Sequence, residues 1–186
     1  IGTNLENMSK HHRNRNWAPA PQPLPEDAHV IDNHTHVASV VPFSQAMSHE
    51  AMEKGQGEVP VYSVDELLKQ AQDVGVEGVI DCGCELPNLM TAIDMAREHP
   101  GTVHAAIAIH PNEAVLHGHR GAPGPDGLPI KYKPWHDIPF DEAMAEVHRL
   151  ATTYPNQVVA IGETGMDLFR TGESAKELQR EEIGRA

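Results

Sequence analysis

Four short, nearly unbroken apolar runs punctuate the chain, at 28–36 (AHVIDNHTH), 76–82 (VEGVIDC), 103–109 (VHAAIAI) and 157–162 (QVVAIG). Parallel strands covered on both faces require continuous hydrophobicity of this kind, so each run is expected to be a buried strand. Helical spacing fills the intervals. Ser63 and Glu66 form a capping-box signature ahead of Leu67, Leu68, Ala71 and Val74, and Gly75 stops that helix. Leu86, Leu89, Met90, Ile93 and Ala96 keep the spacing up to the breaker at 99–101, and Phe140, Met144, Val147, Leu150, Ala151 and Tyr154 keep it up to Pro155. A fourth helix is expected to begin near Glu173 and to run through Leu178 and Ile183. Strand and helix alternate four times, which predicts parallel βα units.

Two stretches break this rhythm, 38–62 after the first strand and 114–139 after the third. Both are expected to be loop insertions, the second necessarily so because it contains HRGAPGPDGLP. Each follows the C-terminal end of a strand, the edge on which α/β proteins build their sites. Residues 1–27 are polar and then proline-rich (APAPQPLPED), the composition of an extended or disordered arm. That leaves 28–186 as one domain. Outside the insertions each unit takes about 27 residues, whereas a complete eight-stranded (β/α) barrel needs roughly 250. The expected fold is therefore α/β, of the TIM-barrel type, with about the first four βα units present in this chain.

Composition narrows the partners. Fourteen Lys and Arg against 27 Asp and Glu give a net charge of −13, which excludes holding nucleic acid by diffuse charge alone. Any phosphate must be held locally, by a few basic groups or by metal ions. No apolar run approaches the roughly 18 to 20 residues of a membrane span. The only cysteines, Cys82 and Cys84, are too close together for a useful disulfide framework and read as reduced thiols, so a soluble cytoplasmic protein is expected. Of the 13 histidines, His11 and His12 fall in the arm, while His117 and His119 fall in the second insertion and are expected to be solvated.

The remaining histidines sit where chemistry is expected. In VIDNHTHV, alternation places Asp32, His34 and His36 on one face of the first strand. The two imidazoles are then roughly 6.6 Å apart at Cα, a reach at which both can bind one cation. A pair of buried histidines bonded to backbone is the alternative. Asp32 would suit a partner that orients an imidazole. After the fourth strand comes AIGETGMDLFR, in which Glu163 has no packing role and reads as a carboxylate ligand or as a helix cap. Asp167 and Arg170 follow, and an arginine there could grip a phosphate in a bidentate fork. The third strand ends in AIAIHPNEA, with His110 at the same edge. Cys82 and Cys84 are expected to be small buried thiols filling the interior rather than ligands.

Together, DNHTHV, IHPNEA and AIGETGMDLFR, in this order and across about 28–183, resemble the TatD family of metal-dependent hydrolases. Its members carry a DxHxH strand, a GxHP segment and a GExGLDYxR segment on (β/α) barrels. The resemblance implies a divalent-metal phosphodiesterase of deoxyribonuclease type, acting on single-stranded DNA or DNA ends. His34 and His36 would bind one ion and Glu163 would bridge to a second, the ions being Zn, Mn or Mg. His110 and Glu163 would carry the chemistry, and His110, Asp167 and Arg170 would line the substrate and phosphate pocket. Ile109 stands where the family has glycine, and Leu168-Phe169 replace its usual aromatic pair. The family's later histidines and final aspartate would lie beyond residue 186. On that expectation the chain is weakly active or inactive by itself, and the natural protein continues for about another 100 residues.

Two other readings compete. An amidohydrolase-like metalloenzyme opening a small amide, lactone or phosphoester also uses an HxH first strand. A non-catalytic half barrel, serving as a binding or assembly module that self-associates to cover its open edges, is the second.

Overall fold

A computed structural model describes residues 23–25, 27–56, 59–117, 132–168 and 173–185. Four strands, β1 (Val30–Thr35), β2 (Val76–Gly83), β3 (Val103–Ile107) and β4 (Val158–Ile161), form one parallel sheet in the order β1-β2-β3-β4. Neighbours in the sheet are successive in the chain, so the winding has no switch point. That is the progression of a singly wound barrel and not of a doubly wound sheet. The helices are α1 (Val37–Glu53), α2 (Val64–Asp73), α3 (Leu86–Glu98), the single turn α4 (Pro111–Ala114), α5 (Phe140–Thr153) and α6 (Glu173–Arg185). No described helix is long and apolar enough to cross a membrane.

Local chemistry explains where the elements stop and start. At α2 the Ser63 hydroxyl accepts from the Glu66 amide at 3.2 Å while the Glu66 carboxylate accepts from the Ser63 amide at 2.8 Å, the reciprocal box that the sequence predicts. Gly75, at φ +97°, then turns the chain into β2, a left-handed conformation that a side chain would resist. Helix α3 buries Leu89, Ala92, Ile93 and Ala96, and α5 buries Phe140, Ala143, Val147 and Leu150. These two faces close over Val103, Ala105 and Ile107 of β3, so the core lies under the middle of the sheet. Burying each large aliphatic side chain there contributes about 1.5–3 kcal/mol. Gly83 lets α3 approach, since a Cβ at this position would lie 2.7 Å from the Asn88 carbonyl oxygen.

Burial on both faces holds for β3, where Ala105 to Ile107 and the two residues that follow are all buried, and not for the outer strands. Ile31 on β1 is 57% exposed, and Val159 and Ile161 on β4 are 51% and 54% exposed. Each outer strand has a neighbour on one side only in the described sheet.

The first insertion is mostly helix and not loop. Helix α1 contains Pro42 and buries Val37, Ser44 and Ala51, seven residues apart and two of them small, so its apolar stripe is too thin to read. What satisfies its N-terminus comes from far away in sequence. The buried Asp81 carboxylate on β2 accepts from the Ala38 amide at 3.4 Å and also from the Val37 amide. Of the second insertion, 118–131 lies outside the described residues, and a 3₁₀ turn spans Pro134–Asp137. His117 is buried, at 1% exposure, and not solvated, because its Nδ1–H donates to the Ile138 carbonyl at 2.8 Å. His119 and the arm residues 1–22 lie outside the described residues, while Leu24 is tied to α2 by its amide bond to the Val74 carbonyl at 2.9 Å.

Candidate metal centre and substrate pocket

The imidazoles of the first strand reach their positions through an irregularity that alternation does not foresee. Asp32 pairs with Val79 and Thr35 with Asp81, so β1 carries one extra residue between those pairs. The Asp32 carboxylate accepts from the His34 amide at 3.2 Å, an Asx-type turn that stabilises the bulge. Asp32 therefore shapes the backbone beneath His34 and makes no bond to an imidazole among the described contacts. The orienting partner of His36 is instead the Cys82 carbonyl, 3.2 Å from its Nδ1, which puts the ring proton on Nδ1 and the lone pair on Nε2.

Glu163 enters from the end of β4. Its Oε1 is 3.0 Å from His34 Nε2 and its Oε2 is 3.9 Å from His36 Nε2. The two rings stand edge to face with centroids 5.3 Å apart. One donor atom from each of the three residues falls within 4.8 Å of the others, and they form the one such group among the described residues. Two neutral imidazole nitrogens and a carboxylate oxygen make a donor set suited to a divalent ion, with room for water or a phosphate oxygen. The residues present therefore fit the metal that the sequence leads one to expect.

Cys84 is not a passive filler. Its thiol donates to Glu163 Oε2 at 2.8 Å. Burial, and then this bond to the carboxylate, push the thiol far above its ordinary range. Cys82 is also raised, chiefly by burial, and both cysteines are free.

A second group lies beside the first. His110 caps α4, its Nδ1 accepting from the Asn112 amide at 3.1 Å, which leaves the proton on Nε2, 3.9 Å from Asp167 Oδ2. The Asn112 side chain donates to the same Asp167 oxygen at 2.7 Å. Gln179 of α6 locks both: its amide nitrogen donates to Asn112 Oδ1 at 3.0 Å and its oxygen accepts from the Asp167 amide at 3.1 Å. The structure thus brings His34, His36 and Glu163 into one cluster and His110 and Asp167 into another, while Arg170 lies outside the described residues.

Helix α6 docks through polar contacts. Ala175, Gln179 and Glu182 are buried, whereas Ile183, expected on the apolar stripe, is 41% exposed. No local pattern marks Gln179, whose partners lie on the loop after β4 and on α4. Asp81 did leave a signal, a buried acid inside the mostly apolar run of β2.

A cleft of about 390 Å³ opens beside this chemistry, lined by His36, Ser39, Pro42, Asp81, Cys84 and Asn88 among others. An apolar cavity of about 300 Å³ between α4, α5 and α6, lined by Ile109, Phe140 and Met144 among others, touches none of the three clustered donors. The cleft adjoins the metal group, because it shares His36 with it and includes Cys84, which bonds Glu163.

Comparisons with known proteins agree on the lineage. The chain is 28% identical over 106 residues to the 3′-5′ ssDNA/RNA exonuclease TatD of Erwinia tasmaniensis, a match covering 57% of this chain and 32% of that protein. It superposes on the crystal structure of a hydrolase TatD family protein from Entamoeba histolytica with a TM-score of 0.57 at 19% identity, covering 84% of this chain and 44% of the other. The chain therefore spans about a third of the curated relative and less than half of the solved one. The family model described as TatD related DNase matches residues 31–185, which takes in β2, β3, β4, all of β1 but Val30, both histidine clusters and Glu163: the chain belongs to the TatD family.

Proposed function

We propose that this chain forms the metal-holding part of a divalent-metal-dependent hydrolase that cleaves phosphodiester bonds of nucleic acid, DNA in particular. The observation that carries the reading is the convergence of His34, His36 and Glu163 at the C-terminal edge of the sheet, beside a cleft. The names of the relatives support it, one being an exonuclease on ssDNA and RNA and the other a hydrolase.

His34, His36 and Glu163 would hold the ion, Mn, Zn or Mg, with Glu163 the residue placed to reach a second. When bound, the ion supplies Lewis-acid polarisation of a phosphoryl oxygen and neutralises charge in an acidic protein. The chain's own groups do the rest. The Cys82 carbonyl aims His36, and the Cys84 thiol holds Glu163 Oε2. His110 presents an Nε2–H able to donate to a phosphate or leaving oxygen, with Asn112 and Gln179 keeping Asp167 beside it. Arg170 is assigned a phosphate on its place in the AIGETGMDLFR segment. The exposed apolar residues on β1 and β4 favour self-association, to be read as a mass above 20.3 kDa by sedimentation that falls on dilution.

The reading is tested by calorimetry with Mn²⁺ and Zn²⁺ and by cleavage of an end-labelled single-stranded oligonucleotide. Expected are metal binding by this chain and metal-dependent release of nucleotides by the whole protein that contains it, both lost in His34→Ala and cleavage lost in excess chelator. Absence of metal binding by the unmutated chain would sink it. Turnover of a small amide or lactone in preference to the oligonucleotide would replace it with the amidohydrolase reading.

A further inference from the structure

Residues 132–138, at the end of the second insertion, are held by two buried imidazoles. His136 accepts from the Lys133 amide through Nδ1 at 3.1 Å, so its proton sits on Nε2 and is donated to Glu113 at 2.8 Å. His117 ties the other end through the Ile138 carbonyl. Tyr132, Trp135 and His117 each stand edge to face on the His136 ring at 5.7 Å. The segment is thereby set in one shape, with Tyr132 and Lys133 on its exposed side.

Lys133 is unusual for this molecule. Lys54, Lys69, Arg97, Arg149 and Arg180 each pair with an acid one turn away on the same helix. Among the described residues no carboxylate lies within the 4.0 Å pairing distance of Lys133, and its ammonium rests 4.8 Å from the centre of the Trp135 ring. In a chain of net charge −13, a cation kept out of ion pairs and resting on an aromatic ring is available to an outside anion. It also belongs to the rim of the site. Glu85, next to Cys84 and lining the cleft, lies within electrostatic reach of Lys133, His136 and His110.

We propose that Tyr132 and Lys133, braced by Trp135 and His136, form a docking platform for a single-stranded nucleic-acid segment outside the metal centre, one base stacking on Tyr132 and one phosphate taking the Lys133 ammonium. The proposal rests on the nuclease reading for its partner. Base stacking on an aromatic ring needs an unpaired base, which a duplex does not offer. The phosphate contact supplies locally the positive charge that the protein lacks as a whole.

The chain has two tryptophans, so Trp17→Phe leaves Trp135 as the reporter. In that background, with EDTA present so that nothing is cleaved, oligothymidylate is expected to quench Trp135 emission saturably. Tyr132→Ala should weaken binding about tenfold, with Tyr132→Phe retaining most of it. Lys133→Ala should reduce the slope of log K against log salt by about 0.7, the share of one phosphate on a single strand, and Lys133→Arg should restore it. An abasic oligomer of equal length should bind with no dependence on Tyr132. Unchanged affinity in Tyr132→Ala and unchanged slope in Lys133→Ala overturn the platform, as does no binding by the reporter protein. Binding as expected in EDTA with no metal-dependent cleavage would instead overturn the nuclease reading and leave the platform standing.

Discussion

Glu163 is the point where the two ends of the described sheet meet, and its oxygens have unequal surroundings. Oε1 faces His34, while Oε2 takes the Cys84 thiol as well as His36. A carboxylate pinned by a neutral donor keeps its charge and loses rotational freedom, which is how outer partners tune a metal ligand. Cys84→Ala should therefore weaken Mn²⁺ or Zn²⁺ binding about 10- to 100-fold while leaving all three donors in place. Cys84→Ser, which retains a donor, should recover most of that loss. Calorimetric titration of the three proteins decides it: equal affinities would show that the thiol only fills space. HxH and Glu163 were legible as a ligand set because their residue types and strand-end positions are unusual. The thiol bond was not legible, since 79 residues separate its partners.

The helix that follows the histidines depends on one residue of another strand. The Asp81 carboxylate takes amides at the start of α1, where four N–H groups have no partner within the helix, and Pro42 further weakens the element. Burial raises the Asp81 carboxyl above its ordinary range, and the Val37 and Ala38 amides and the charge of His36 oppose that rise. Asp81→Ala is expected to destabilise the protein by about 1–2 kcal/mol and to speed hydrogen exchange across α1 more than across α3. Uniform exchange in both helices would show that Asp81 acts on the strand and not on the helix. By contrast α2, α3 and α5 could be read directly, because each has an apolar stripe at helical spacing bounded by a cap, a glycine or a proline.

Stability against acid belongs to the molecule as a whole. Burial holds His117 below its ordinary value of about 6.5, against the Ile138 carbonyl and the charges of Glu113 and Glu182, which favour its proton, while His136 disfavours it. The unfolded chain binds that proton more readily, so the stability it contributes is present above about pH 6.5 and is lost as the pH falls through the lowered value. Asp81 and Glu85, both raised by burial, act in the opposite sense, since stability linked to them is lost as the pH rises. The difference between two proteins therefore carries the test. The thermal midpoint of the unmutated chain should fall between pH 7 and 5 by more than that of His117→Gln, and parallel curves would refute this.

Residue types along one strand and their order along the chain were enough to set the fold class, four parallel units and the candidate cluster of His34, His36 and Glu163, because these follow from local periodicity and from the rarity of acids and imidazoles at strand ends. Where those side chains point was decided by tertiary structure: the bulge in β1, the Cys82 carbonyl, the Cys84 thiol and the Asp81 cap all come from backbone pairing between distant segments. Burial was likewise undecidable from pattern. Ile31 and Ile107 are the same residue type on strands of one sheet, yet one is exposed and the other fully buried, since hydrophobicity records what a side chain prefers while only the packed neighbours settle what covers it.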